Sequence, residues 1–114
     1  MIMPSQSPEL QIIVGVPPEH ADAVLDAIAQ AGGGSIGEYT HCSFTSTGTG
    51  HFKPSAAANP AVGEKGEINA VAEVRIETFC NRAIARAVVV AIQEAHPYEV
   101  PMIYLVPLLS LDDL

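Results

Sequence analysis

The chain has few basic residues, few cysteines and no long apolar run, and each shortage removes a class of function. Five Lys and Arg stand against thirteen Asp and Glu, a formal net charge of −8 at pH 7. Such a surface repels nucleic-acid phosphates and anionic lipid, and the basic patch of a nucleic-acid binder is missing. Cationic ligands and metal ions remain compatible with it. Two cysteines, Cys42 and Cys80, are too few for a secreted disulfide framework. No apolar run reaches the ~18–20 residues that a membrane-spanning helix needs. The first residues, MIMPSQSPE, lack a basic region followed by an apolar core, so no secretory signal is read there. The expectation is a cytoplasmic protein with both thiols reduced, without nucleic-acid or membrane partners.

What is present points to one compact unit. The 114 residues fit a single domain, large enough to bury one core without disulfide staples. The apolar fraction of 48% is high for a free-standing monomer of this length. Burial between subunits accounts for the excess.

Residues 1–9 read as a flexible tail, 10–107 as the domain and 108–114 as a C-terminal tail. Leu10 to Val16 is a β-branched run bounded by Pro17 and Pro18, the pattern of a buried strand. Glu19 to Ala31 places Ala21, Val24, Leu25, Ile28 and Ala31 on one helical face, ended by Gly32 to Gly34. Tyr39 to Thr47 reads as a second strand. Val71 to Phe79 reads as a third, with Ala72, Val74 and Ile76 on one side and Glu73, Arg75 and Glu77 on the other. Asn81 is the expected cap of a second helix reaching Ala95. His96, Pro97 and Pro101 break it, and Met102 to Val106 forms the last strand. The order β-α-β-β-α-β is that of a ferredoxin-like α+β sandwich, an antiparallel sheet with both helices on one face.

The stretch from Cys42 to Gly66 is rich in Gly, Ser, Thr and Pro and reads as a long loop joining the second and third strands. So long an irregular connection in a small domain is functional or disordered. Its segment Thr45, Ser46, Gly48, Gly50, His51 and Lys53 is the candidate ligand-binding loop, with backbone N–H groups able to cradle an anion. A plain hairpin loop whose glycines take positive φ is the competing reading. For a divalent metal ion the available ligand types are His41, Cys42, His51, His96 and Glu99. No CxxC or HxxxH spacing groups them. The expected hairpin brings Cys42 and Cys80 toward each other on the core side. His96 also has a structural reason to sit at a helix C-terminus, facing the negative end of the dipole. No pairing of nucleophile with base is evident, so no enzyme is read.

The first and last strands are apolar at consecutive positions, Ile12 to Val14 and Met102 to Val106. Their second face needs cover, and another copy of the chain is the simplest cover. Glu73, Arg75 and Glu77 then lie at the contact, where Arg75 between two carboxylates forms a paired network.

Three segments in order, CSFTSTGTGHFKP with ANPAVGEKG, then EVRIE, then HPYEVP, resemble the YqfO-type insert domain of the dinuclear-metal-centre hexameric protein family. The resemblance covers roughly Leu10 to Pro107 and implies a CutA-like and PII-like module, with the trimeric assembly of such proteins. In the larger members the two-metal site belongs to a flanking domain with no counterpart here, so neither that site nor a hydrolase role carries over. The expectation is a non-enzymatic homo-oligomeric module with a small ligand or partner at intersubunit clefts beside residues 45–66. A metal-binding protein and a purely oligomerising module are the alternatives.

Overall fold

A computed structural model of the chain describes residues 7–114. Its elements are β1 (Leu10–Val16), α1 (Ala21–Gln30), β2 (Phe44–Phe52), β3 (Asn69–Cys80), α2 (Ala85–Ala95) and β4 (Ile103–Pro107). The strands form one antiparallel sheet in the order β2-β3-β1-β4. Both helices cover one face. This is the ferredoxin-like βαββαβ arrangement that the order of apolar segments implies.

The core follows from periodicity. Ile12, Val14 and Val16 of β1 and Ile76 of β3 point to the helices and are fully buried against Val24 of α1 and Val88 and Ile92 of α2. Each such side chain contributes about 1.5–3 kcal/mol of burial. Helix α1 starts after a 3-10 turn at Pro18–His20. It ends in a Schellman motif, with Gly33 N–H donating to the Ile28 carbonyl, Gly32 N–H to that of Ala29, and Gly32 at φ +95°. No described helix is long and apolar enough to cross a membrane.

Helix α2 is capped differently from expectation. Asn81 makes no side-chain cap bond. The Arg82 N–H donates instead to the Glu9 carboxylate at 3.0 Å. Glu9 also bonds through its backbone to Cys80 and Leu108, so the residue expected to close a loose tail is tied to both ends of the fold. The rest of that expected tail lies mostly in residues 1–6, outside the described residues. At the other end, Leu111–Asp113 form a 3-10 turn closed by a capping box between Ser110 and Asp113.

The largest departure from the sequence reading is β2. The expected strand at Tyr39 to Thr47 and loop from Cys42 to Gly66 are replaced by a strand at Phe44–Phe52 and a connection of residues 53–68. Thr45, Thr47 and Thr49 line one side of β2 and Phe44 and Phe52 the other, a period-2 pattern diluted by glycines. Ahead of it, residues 34–43 turn through an isolated bridge between Ile36 and Tyr39, and His41 takes φ 60°. A side chain with a Cβ is disfavoured there by ~1–2 kcal/mol. His41→Gly is therefore expected to raise stability by about 0.5–1 kcal/mol, after the added freedom of the unfolded chain is subtracted. The midpoint of urea unfolding reads this directly, and an unchanged or lower midpoint contradicts it.

The cysteines are not neighbours in the core. Cys80 packs in the core cluster, where burial first and the Glu9 charge second push its thiol pKa up. Cys42 borders a groove with Gln11, Phe44, Phe79 and Leu108, on the sheet side away from the helices. Cys80 faces the helices from the end of β3, whereas Cys42 precedes β2 in the turn and borders the opposite side.

The body is elongated. Its radius of gyration is 15.6 Å, against about 13 Å for a compact chain of this length. It exposes 7253 Å², where about 6,000 Å² is usual for this mass. Part of the excess lies in the β2–β3 hairpin. β1 pairs with β3 only as far as Val16 opposite Val74. From Gly48 opposite Glu73 to Phe52 opposite Asn69, β2 and β3 continue as a two-stranded arm.

Candidate functional site

The arm, the 53–68 connection and the segment after α2 enclose a cleft of about 810 Å³. Its sides carry Phe52, Glu73, Tyr98, Glu99 and Tyr104, with Lys53 where the connection leaves β2.

The connection is organised by its own polar groups. Asn69 accepts from the Glu64 N–H and donates to the carbonyls of Glu64 and Glu67. The Lys65 ammonium donates to the Ala56 carbonyl, and the Gly66 N–H to that of Pro54. One bond joins this loop to the opposite wall, from the Asn59 N–H to the Glu99 carboxylate at 3.0 Å.

The HPYE segment is fixed by a chain of contacts. His96 is buried. Its Nδ1 accepts from the Tyr98 N–H at 3.1 Å, while Nε2 lies 2.6 Å from the Gly15 carbonyl. That pairing assigns the proton to Nε2, since a carbonyl can only accept. Burial lowers the His96 pKa, partly opposed by the Gly15 bond and the Glu73 charge. His96 thus ties the α2–β4 connection to β1 as a neutral imidazole. Its position after the helix suits a dipole contact, but the side chain turns back into the sheet.

Tyr98 stacks at an angle on His96 and faces Phe52, with ring centres 4.9 and 6.4 Å away. Burial, followed by a hydrogen bond to the Glu73 carboxylate and its charge, pushes the phenol up to about 12. Glu73 lies over two glycines on the flanking strands. A Cβ at Gly50 would fall on its carboxylate, and one at Gly15 would meet it at 3.4 Å. Gly15 and Gly50 leave room for a half-buried carboxylate.

The sequence-predicted residues are only partly gathered here. Gly50, His51 and Lys53 border the cleft. Thr45, Ser46, Gly48, Gly50 and His51 belong to β2, an edge strand paired with β3 alone, and not to a loop. Glu99 borders the cleft; His41 and Cys42 lie in the turn before β2, away from it. Among the described residues no cluster of three or more His, Cys, Asp or Glu is placed to hold a metal ion. His96 has both nitrogens engaged within the fold. Arg75 pairs with Glu77 alone, Nε to Oε1 at 3.0 Å, because Glu73 turns toward Gly50 and Tyr98. The sequence reading missed Phe52, Tyr98 and Tyr104 as site residues. The available signal was HPYE itself, whose tyrosine follows the buried histidine by two positions.

Among the described residues, both helices lie on one side of the sheet and no helix or strand covers the other. Phe44 and Tyr104 stand on it, 68% and 56% exposed. They flank Ile13, Arg75 and Glu77, which the register places on the same side.

No protein-family model matches the chain. It is homologous over most of its length to proteins named GTP cyclohydrolase 1 type 2 homolog. With that of Bacillus subtilis it shares 46% identity over 92 residues, 81% of this chain and 25% of the relative. With that of Halalkalibacterium halodurans it shares 43% over 98 residues, 86% and 26%. The chain therefore spans about a quarter of the length of the curated relatives it matches. Among solved structures, a Bacillus cereus protein related to NIF3 superimposes with a TM-score of 0.74 at 40% identity, over 90% of this chain and 26% of that one. The PII-like protein CutA from Nostoc sp. PCC 7120 superimposes with a TM-score of 0.63 at 18% identity, over 87% and 80%. The latter likeness is one of fold.

Proposed function

We propose that the chain is a non-enzymatic, PII-like and CutA-like module that assembles with copies of itself, as a trimer, and binds a small ligand in the cleft between the hairpin arm and the HPYE segment. The observation that carries this reading is Glu73. A carboxylate held half-buried between two glycines and beside a half-buried tyrosine is costly unless something uses it. Aromatic walls around a few polar groups are the usual build of a small-molecule site. The exposed Phe44 and Tyr104 on the open sheet face and the excess surface support self-association, and the trimer is the assembly that the family resemblance implies.

No reaction is assigned to the chain. The hydroxyl that lies beside a histidine is Thr40, whose Oγ1 is 2.9 Å from Nδ1 of the neighbouring exposed His41. It has no enclosing site around it. The cyclohydrolase name belongs to proteins about four times as long, and no hydrolytic step is carried over.

The test is a fragment screen by ligand-observed NMR, with hits mapped by amide shifts on labelled protein. Hits should move residues 50–62 and 98–104 together. Shifts confined to other surfaces, or a screen without hits, would leave an oligomerising module and overturn the ligand reading.

A further inference from the structure

We infer that the cleft selects an organic cation, an amine bearing alkyl groups on its nitrogen; this rests on the ligand-binding reading above and gives it a chemical class. Three aromatic side chains, Phe52, Tyr98 and Tyr104, line one cleft with two carboxylates, Glu73 and Glu99. Phe52 and Tyr98 converge with ring centres 6.4 Å apart and planes at 45°, so their faces form a corner and not a stack. Aromatic faces attract a cation through their quadrupole, most strongly where water is excluded. The carboxylates add the matching charge.

Each carboxylate keeps acceptor capacity. Glu99 accepts one backbone N–H from Asn59 and Glu73 stands beside the Tyr98 phenol, whereas a carboxylate has about four lone-pair sites. The Tyr98 phenol stays protonated at neutral pH, with its pKa at about 12, so it holds Glu73 without adding charge. The single opposing lysine is Lys53, which is exposed. Two carboxylates against one ammonium leave the cleft negative, in a chain whose own net charge is −8. An anionic ligand would meet repulsion from both carboxylates.

The probes are choline and its neutral isostere 3,3-dimethylbutan-1-ol, titrated into the full chain and followed by amide shifts, with inorganic phosphate as the anionic control. Choline should saturate shifts at the cleft, and the neutral isostere should bind about tenfold more weakly. Glu73→Gln and Glu99→Gln should each weaken choline severalfold. An unchanged amide spectrum away from the cleft establishes that each variant is folded. Equal binding of choline and the isostere, or occupation of the same residues by phosphate, overturns the cation assignment and leaves the ligand site standing. No shift with any of the probes overturns the cation assignment, and the fragment screen then decides whether the ligand site falls with it.

Discussion

Replacing His96 by leucine is expected to destabilise the fold by about 2–4 kcal/mol, because it strips the bonding partner from two backbone groups at once. The Gly15 carbonyl loses Nε2 and the Tyr98 N–H loses Nδ1, while a leucine of similar bulk keeps the cavity filled. The effect should be local as well as global. Tyr98 rests on the imidazole at 4.9 Å, so amide exchange at residues 96–100 should accelerate beyond what the loss of global stability explains. Equilibrium unfolding in urea gives the first quantity and hydrogen exchange the second. A cost below about 1 kcal/mol would mean that water replaces the imidazole, and that the histidine does not fix the cleft wall.

The same residue sets a pH dependence. The folded pKa of His96 is depressed, chiefly by burial, relative to the ~6.5 of an unfolded chain. Below that value the unfolded state binds the proton and the folded state does not. The contribution of His96 is therefore fully present above pH ~6.5 and is lost as pH falls through the window beneath it. Unfolding free energy should decline for the natural chain on going from about pH 7 to pH 5. The decline should be shallower for His96→Leu, and identical slopes for the two proteins would contradict the neutral buried imidazole.

Gly34→Ala is the second change with a large expected effect, again about 2–4 kcal/mol. Gly34 takes φ +69°, and an added Cβ would lie 2.7 Å from the Cys42 carbonyl oxygen and 3.0 Å from the Thr78 hydroxyl. Those two atoms share a hydrogen bond of 2.7 Å. Gly34 also donates to Phe79 and accepts from Cys42, so its backbone cannot step aside without opening the entry to β2. Gly37→Ala is the control. Gly37 has φ +55° with open space around it, so it carries the left-handed strain alone, ~1–2 kcal/mol. A difference between the two variants measures crowding at Gly34. Equal costs would place the whole effect in the backbone angle.

The fold was legible where one physical signal dominated. β1 appeared at Leu10–Val16 as read, because an apolar β-branched run between prolines and polar residues has few alternative states. Both helices showed their inner faces through Val24 and Ile28, and Val88 and Ile92. β2 was hidden because its alternation is carried by threonine, serine and glycine, residues that also make loops. Gly50 is explained by Glu73, a residue 23 positions away, and no local pattern reveals that. Glu9 as a helix cap was invisible for the same reason, since its partner Arg82 lies 73 positions along the chain, just past the neighbouring strand β3. The cleft was half legible. Gly50, His51, Lys53 and Glu99 stood out as polar or glycine positions, whereas Phe52, Tyr98 and Tyr104 fell in an expected loop, a helix-ending turn and an apolar strand, and nothing local brought them together.

Self-association through the open sheet face is the claim on which the account most depends. Phe44 and Tyr104 would be buried by it, and the surface in excess of a compact chain would be covered. Native mass spectrometry at micromolar concentration tests it most directly. The account predicts a species of three chains for the natural protein, with Tyr104→Asp shifting it to single chains of 12.0 kDa. A natural protein that remains a folded 12.0 kDa monomer under these conditions would contradict it.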